Sequence, residues 1–227
     1  MNALHLQNLY RATNENTLNV WRQNAGIGNV KEDDQYDPST LALATSIRPA
    51  LSAAVTRLID ELAQCTQRDP LADTLPANGF HFTFVPVTLP RYRAYERLPA
   101  EVDHLKQIWV PFHGVNIAIR HLRLVALPNQ LLLAGIPDAP AIALRQSFCD
   151  QVLDSYWKNA LLQRHTGRPL PAPFWHSTLL RYRADFLPAS VRRFFLTRQH
   201  VNVGDVAGAL TLAKVSYNWT TCYSLID

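Results

Sequence analysis

Two short segments, His81-Phe-Thr-Phe84 and His176-Ser-Thr-Leu179, place histidine and threonine at the same spacing. Each lies in a run of apolar and β-branched residues that predicts a β-strand. Because side chains in a strand alternate between faces, the histidine and threonine of each segment project to one side, whereas Phe82 and Phe84 point into a core. Two facing imidazole–hydroxyl pairs would be suited to moving protons at a phosphate ester.

The surroundings of the two segments are also repeated along the chain. In each half, a predicted strand is followed by a helix with proline near its start, then by a polar loop and the histidine strand. The first unit comprises residues 41–47, 49–64 and 80–87, and the second comprises residues 130–136, 140–160 and 174–182. His81 lies 32 residues after Pro49, and His176 lies 36 residues after Pro140. This regularity indicates a coarse internal duplication.

The order of these elements predicts an α+β fold with one two-lobed domain over residues 40–227. We expect two pseudo-symmetric lobes of antiparallel or mixed sheet, with helices on the outer faces and a central cleft. Residues 1–39 form an N-terminal extension, in which Leu4, Leu9, Leu18 and Trp21 suggest an irregular amphipathic helix over residues 1–25. Residues 31–37 (KEDDQYD) form an acidic, turn-forming connector.

Composition narrows the classes of partner and cofactor. Apolar residues make up 48% of the chain and charged residues 18%, which is typical of a globular protein. The net charge of +4 favours an anionic ligand but is too mild for wrapping duplex nucleic acid. Cys65, Cys149 and Cys222 are isolated, and no zinc-binding, Walker or dinucleotide-binding motif occurs, so we expect no metal and no cofactor. No apolar run approaches the ~20 residues of a membrane span. We therefore expect a soluble, cytoplasmic monomer.

The paired His-x-Thr tetrapeptides, about 95 residues apart and each on the strand after a strand–helix unit, resemble those of the two-histidine (2H) phosphoesterase superfamily. This superfamily includes the LigT-like RNA cyclic phosphodiesterases, and the resemblance covers residues 40–227. The residues before the two histidines, Phe80 and Trp175, are bulky, as the family pattern implies. Ser177 stands at a position where the family usually has an apolar residue. The resemblance implies a nucleotide or short RNA substrate with a 2′,3′-cyclic phosphate or a 2′–5′ linkage.

In this interpretation, transfer at phosphorus needs no metal. One of His81 and His176, neutral, accepts a proton from the attacking water or sugar hydroxyl, and the other, protonated, donates one to the leaving oxygen. An ordinary imidazole pKa near 6.5 allows both forms near neutral pH, and the sequence leaves open which histidine is the acid. Thr83 and Thr178 would donate hydrogen bonds to the non-bridging phosphate oxygens.

Further residues are candidates for substrate binding. Tyr182 shares strand parity with His176 and is placed to stack a base, whereas Arg181 has the opposite parity unless a bulge intervenes. Tyr217 could provide a second stacking platform or could pack in the core. Residues 164–198 contain seven arginines and one acid, Asp185, which suggests either a phosphate-attracting rim or ordinary solvated side chains.

Two other functions compete with catalysis. The first is a non-catalytic module that binds RNA or nucleotide phosphate, and the second is a structural interaction protein that uses residues 1–39. Intact histidine and threonine in both segments favour the enzyme, because binding alone needs cations more than two titratable imidazoles.

Overall fold

The computed structural model describes residues 2–32, 37 and 39–226, so most of the predicted acidic connector, residues 33–36, lies outside the described residues. Over the described part the chain forms six α-helices and eight β-strands. The helices are α1 (Ala3–Gln23), α2 (Ala53–Thr66), α3 (Val102–Trp109), α4 (Ala139–Leu153), α5 (Lys158–Arg164) and α6 (Ala189–Arg198). The strands are β1 (Ala42–Ile47), β2 (Ala72–Thr74), β3 (Phe82–Pro86), β4 (Asn116–Leu127), β5 (Gln130–Pro137), β6 (His176–Tyr182), β7 (Val206–Val215) and β8 (Cys222–Ser224).

The eight strands form one sheet in which every pairing is antiparallel. The strand order is β2-β6-β5-β4-β7-β1-β3, and β8 pairs with β7. Strand β7 joins the two lobes, because residues 206–209 pair with β4 and residues 210–215 pair with β1. Strands β3 and β6 stand near opposite ends of this order, yet their Cα atoms come within 8 Å of each other. The sheet is therefore folded around a cleft, and the predicted α+β class is confirmed.

The predicted duplication corresponds to two pairs of neighbouring strands. β1 and β3 are joined through α2 and pair with each other, and β5 and β6 are joined through α4 and α5 and also pair. Strand β2 departs from this symmetry. It follows α2 in the chain but pairs with β6, in the other lobe, with Ala72 opposite Tyr182 and Thr74 opposite Leu180. This strand lies in the segment predicted to be a polar loop, and its three residues form no continuous apolar face that would mark it as a strand.

Helix α1 is packed into the core of the protein. Its buried side chains are Leu6, Tyr10, Thr17 and Trp21. The expected stripe was wrong at its beginning, since Leu4 is 64% exposed. The actual stripe includes a tyrosine and a threonine, and a pattern based on hydrophobicity does not give weight to such residues.

Polar side chains of α1 form hydrogen bonds with backbone groups of β4, beyond the residues of β4 that pair with β7. The Thr17 hydroxyl donates to the Ala126 carbonyl over 2.7 Å, and the Ala126 amide donates to the Asn14 side chain over 2.8 Å. The Trp21 indole donates to the Pro128 carbonyl over 3.0 Å. An unpaired strand edge is costly when it is buried, so these bonds explain why the helix docks there.

The predicted helix of residues 140–160 is divided in two. α4 ends at Leu153 and α5 begins at Lys158, and Tyr156, which lies between them, is 66% exposed. The Ser155 hydroxyl donates to the Val152 carbonyl and accepts from the Trp157 amide. Serine side chains compete in this way with helical backbone bonds, which ends the helix.

No helix among those described is long and apolar enough to cross a membrane.

Candidate functional site

The two His-x-Thr segments lie on the strands that approach each other across the cleft. His81 immediately precedes β3 and Thr83 lies within it, while His176 begins β6 and Thr178 lies two residues further on. The two imidazoles are near enough for the charge of His176 to contribute to lowering the pKa of His81. Thus residues 95 positions apart in the sequence are neighbours at the junction of the lobes.

The ring of His81 is held on two sides. Its Nδ1 lies 2.8 Å from the Gly79 carbonyl oxygen, which can only accept, so Nδ1 carries the hydrogen and a neutral ring has its lone pair on Nε2. The Trp219 indole stacks on the imidazole, with ring centroids 4.9 Å apart. Gly79 approaches the neighbouring turn closely, because a Cβ there would clash with the Asn218 carbonyl oxygen. The tautomer and orientation of His81 are therefore fixed.

The ring of His176 is half-buried at the beginning of β6. Its edge-to-face neighbour is Phe174, with ring centroids 6.1 Å apart. Its Nδ1 is buried and has no hydrogen-bond partner among the described residues. On the strand it stands opposite Ala134 of β5. Apolar neighbours thus position this imidazole, in contrast with the carbonyl that holds His81.

Burial is the main cause of lowered pKa values at both histidines. Burial lowers the pKa of His81 to about 3. The hydrogen bond to the Gly79 carbonyl raises this pKa, whereas the positive charge of Arg181 lowers it further. Burial lowers the pKa of His176 to about 4, with Arg145 and Arg181 adding to the effect. Both rings are accordingly neutral at pH 7 unless an anion lies beside them, because a nearby negative charge favours the imidazolium.

Hydroxyl groups line the sheet beside His81. Thr83 of β3 stands opposite Ser46 of β1, which in turn stands opposite Thr211 of β7, so three hydroxyl side chains share one face on adjacent strands. The Ser46 hydroxyl is fully buried and has no partner among the described residues. On the other side of the cleft, Thr178 is 8% exposed. Thr83 thus stands beside other hydroxyl side chains, whereas Thr178 stands opposite Leu132 of β5.

A β-bulge changes which side chain of β6 accompanies the histidine. Leu180 stands opposite Leu131 and Thr178 stands opposite Leu132, so Leu179 is an extra residue. Beyond the bulge, Arg181 shares the face of His176 and Thr178. Tyr182 lies on the opposite face, where it is 4% exposed. The alternation of side chains that predicted Tyr182 on the face of His176 is therefore interrupted at Leu179.

The surroundings of Tyr182 and Tyr217 differ accordingly. The Tyr182 hydroxyl donates to Asp69 over 2.9 Å, away from the histidines. Tyr217 is half-buried, and its hydroxyl donates to Asp73 over 3.1 Å. The Arg181 guanidinium lies 5.2 Å from the centre of the Tyr217 ring and 3.8 Å from the Asp73 carboxylate. Arg181, Asp73 and Tyr217 thus form a connected polar cluster beside the histidines.

The arginines of residues 164–198 are dispersed. Arg192 donates to the carbonyls of Leu187, Trp21, Asn24 and Gly26, while Arg198 pairs with Glu61 and Arg183 donates to Pro70. Arg164 is near enough to Arg181 that like charge contributes to lowering its pKa, after burial. Most of the predicted rim therefore has structural partners, and Arg181 is the member whose charge acts on both histidines.

The described residues form no metal centre at this site, and one surface cavity lies apart from it. Among the described residues, no group of three or more His, Cys, Asp or Glu side chains is arranged to hold a metal ion. A cavity of about 710 Å³ lies elsewhere, with Leu98, Lys106 and Lys214 in its lining. The Lys214 ammonium donates to three backbone carbonyls, those of Arg93, Ala94 and Glu96, so its charge holds a loop in place.

The sequence placed Arg181 on the opposite face of its strand unless a bulge intervened, and it gave no sign that Asp73 would lie beside Arg181 or Trp219 beside His81. The bulge at Leu179 has no mark in the sequence, and Asp73 arrives on the strand that crosses between lobes. Trp219 is held in a turn with a positive φ of 60°. Its position depends on how that turn packs against Gly79, which no local pattern encodes.

Comparisons with known proteins agree with this architecture. No family model matches the chain, and no curated protein sequence does. Among solved structures, the conserved protein of unknown function ATU0111 from Agrobacterium tumefaciens is similar at a TM-score of 0.51 and 13% identity, over 86% of this chain and 90% of that one. E. coli LigT, crystallised with 3′-AMP, is similar at 0.47 and 15%, over 82% and 93%. Thermus thermophilus TT0787 is similar at 0.47 and 15%, over 81% and 94%. At these identities the similarity concerns the fold alone.

Proposed function

We propose that this protein is a metal-independent phosphodiesterase that acts on a nucleotide or short RNA phosphoester by acid/base catalysis with His81 and His176. The observation that carries the proposal is the meeting of the two histidines at the junction of the lobes, each with a threonine two residues on and with Arg181 acting on both. The preferred substrate classes are a 2′,3′-cyclic phosphate and a 2′–5′ linkage, as the family resemblance implies.

We assign the general base to His81. Its Nδ1–H is bound to the Gly79 carbonyl, so the lone pair of the neutral ring lies on Nε2, where a proton can be accepted. Nε2 takes a proton from a water molecule as the water oxygen forms a bond to phosphorus. The fixed orientation limits the reorganisation that the reaction requires.

His176 is then the general acid. An anionic phosphate beside its half-buried ring favours the protonated imidazole, offsetting the effect of burial on its pKa. As the bond between phosphorus and the leaving sugar oxygen breaks, His176 gives its proton to that oxygen. The proton gained by His81 and the one lost by His176 are afterwards exchanged with solvent, which restores the pair.

Thr83, Thr178 and Arg181 supply stabilisation of charge. The two hydroxyls donate hydrogen bonds to non-bridging oxygens, and the guanidinium offsets the negative charge of the phosphate. Because Arg181 is already held by Asp73 and Tyr217, it would keep its orientation while substrate binds. Tyr217 is the better placed of the two predicted aromatic residues to contact the substrate, since Tyr182 is on the other face of β6.

The test is turnover of 2′,3′-cyclic nucleoside monophosphates and of a 2′–5′-linked dinucleotide in buffer containing EDTA. The expected result is hydrolysis that persists in the chelator and is lost in His81→Asn. Binding of these compounds without any product would identify the alternative, a non-catalytic phosphate-binding module. Activity that disappears in EDTA and returns with added metal would contradict the mechanism.

A further inference from the structure

One hydroxyl group interrupts the ladder between β5 and β6 immediately before His176. Gly135 and Trp175 stand opposite each other, and the Gly135 amide donates to the Trp175 carbonyl over 3.0 Å. An ordinary antiparallel pair of this kind exchanges two such bonds. Here the second bond is replaced by a bridge, in which the Trp175 amide donates to the Tyr10 hydroxyl over 3.2 Å and that hydroxyl donates to the Gly135 carbonyl over 2.9 Å.

The ring of Tyr10 is linked to the imidazole of His176 through the ring of Phe174. Tyr10 is fully buried and packs edge-to-face on Phe174, with ring centroids 5.2 Å apart, and Phe174 packs edge-to-face on His176. Burial also raises the pKa of Tyr10 to about 12, so the hydroxyl keeps its proton and remains a donor to Gly135. The chain entering β6 is thus held through both its backbone and its aromatic side chain.

Arg145 of helix α4 also contacts Phe174 and Trp175. Arg145 is 4% exposed, donates to the Phe174 carbonyl over 3.1 Å and lies 4.3 Å from the centre of the Trp175 ring. Its Nε is buried without a partner among the described residues. The guanidinium thus fixes the backbone of Phe174 and the ring of Trp175, the two residues before His176.

We propose that Tyr10, contributed by helix α1, is a positioning residue for His176. The inference rests on the proposed function and extends it: the N-terminal helix is a working part of the phosphodiesterase site, through the inserted hydroxyl and the Phe174 ring. Among the residues that the structure describes, none bonds to Nδ1 of His176, so the orientation of this ring depends on these contacts more than that of His81 does.

The experiment compares Tyr10→Phe with Thr17→Val. Each removes one buried hydroxyl of α1 that donates to a sheet carbonyl, at Gly135 and at Ala126 respectively. We expect the melting temperature to fall in both variants, and to fall further in Tyr10→Phe, because the Tyr10 hydroxyl makes two backbone hydrogen bonds and the Thr17 hydroxyl makes one. With a 2′,3′-cyclic nucleotide, Tyr10→Phe should lower kcat roughly 10- to 100-fold with KM nearly unchanged, because small misplacements of catalytic groups have effects of this size. Thr17→Val should leave kcat unchanged.

A second measurement does not depend on activity. The ¹⁵N and ¹H shifts of the His176 imidazole should change in Tyr10→Phe and stay constant in Thr17→Val. If the wild-type protein has no turnover, the proposed function fails while these shifts still test the positioning role. Unchanged kcat and shifts in Tyr10→Phe, or equal effects of both variants, would overturn the inference. If Tyr10→Phe does not fold, Phe174→Leu takes its place, with the same expected changes and the same overturning result.

Discussion

The indole of Trp219 stacks on the imidazole of His81, with ring centroids 4.9 Å apart and ring planes inclined by 25°. Together with the Gly79 carbonyl, this contact makes His81 part of the packed structure, and the ring is 4% exposed. His81 therefore contributes to the stability of the protein as well as to the candidate site. Replacement by alanine would remove both a stacking contact and a buried hydrogen bond.

Asparagine is accordingly the informative replacement at both histidines. In His81→Asn the side-chain amide can still donate to the Gly79 carbonyl, while the group corresponding to Nε2 is removed. We expect His81→Asn and His176→Asn each to lower kcat about 10²- to 10⁴-fold, as for loss of a general acid or base. The double variant should lose little more than either single variant, because the pair acts as a unit. His104→Asn, at an exposed position of α3, is the control. Multiplicative losses in the double variant would contradict acid/base cooperation.

The two threonines should contribute less than the histidines. Thr83→Val and Thr178→Val each remove one donor to a phosphate oxygen, and we expect kcat to fall about 10²-fold in each, as for other oxyanion donors. Thr74→Val is a suitable control, because Thr74 stands opposite Leu180 on the other face of β6 and bonds to Thr66. Steady-state kinetics on the three variants decides the matter. A loss in Thr74→Val as large as in the other two would assign the effect to general destabilisation.

The lowered pKa values of the histidines predict an acid-shifted profile for the free enzyme. Burial lowers the pKa of His81 to about 3 and that of His176 to about 4. The state with one protonated and one neutral histidine is therefore populated only at pH values below the ordinary pKa of histidine. We expect kcat/KM to be bell-shaped with its maximum below pH 6.5. The profile of kcat should lie at higher pH, because bound phosphate favours the imidazolium. A kcat/KM maximum above pH 7.5 would be inconsistent with these environments.

The same pKa values predict a loss of stability in acid. Above pH 6.5 the two histidines are neutral in both the folded and the unfolded chain and contribute no pH dependence. Below it, the unfolded chain binds protons that the folded protein does not, so the free energy of unfolding falls by up to about 1.4 kcal/mol per pH unit for each histidine. Urea unfolding at pH 7.5 and 5.0 should show a smaller fall in the double His81→Asn, His176→Asn variant than in the wild type. Equal falls would show that other groups account for the acid sensitivity.

Arg181 and Arg183 offer a matched pair of charge changes two residues apart. Arg181 acts on both histidines, whereas Arg183 is exposed and donates to the Pro70 carbonyl. We expect Arg181→Gln to lower kcat/KM about 10- to 100-fold, the effect of losing a charge-assisted hydrogen bond to the substrate. Arg183→Gln should have little effect. Comparable losses in both variants, abolished by raising the salt concentration, would indicate long-range attraction instead of a contact in the site.

The catalytic candidates were accessible from the sequence, whereas their supporting residues were not. The alternation of side chains along a strand paired His81 with Thr83 and His176 with Thr178, and the repeated strand–helix–strand order placed both segments in equivalent settings. The same alternation failed at Tyr182, because one extra residue in β6 exchanged the faces of Tyr182 and Arg181. Register beyond a bulge is set by pairing with the neighbouring strand, which the local sequence does not specify.

The sequence by itself determined the α+β class, most of the strands and helices and the two His-x-Thr pairs, because local periodicity depends on residues close together in the chain. Only the tertiary structure decided that β2 crosses to the other lobe, that Trp219 stacks on His81 and that Tyr10 inserts its hydroxyl before His176. These contacts join residues far apart in the chain, and Tyr10 and Trp175 are separated by 165 positions. Their formation depends on how whole elements pack, so they become visible only when the sheet has folded around the cleft.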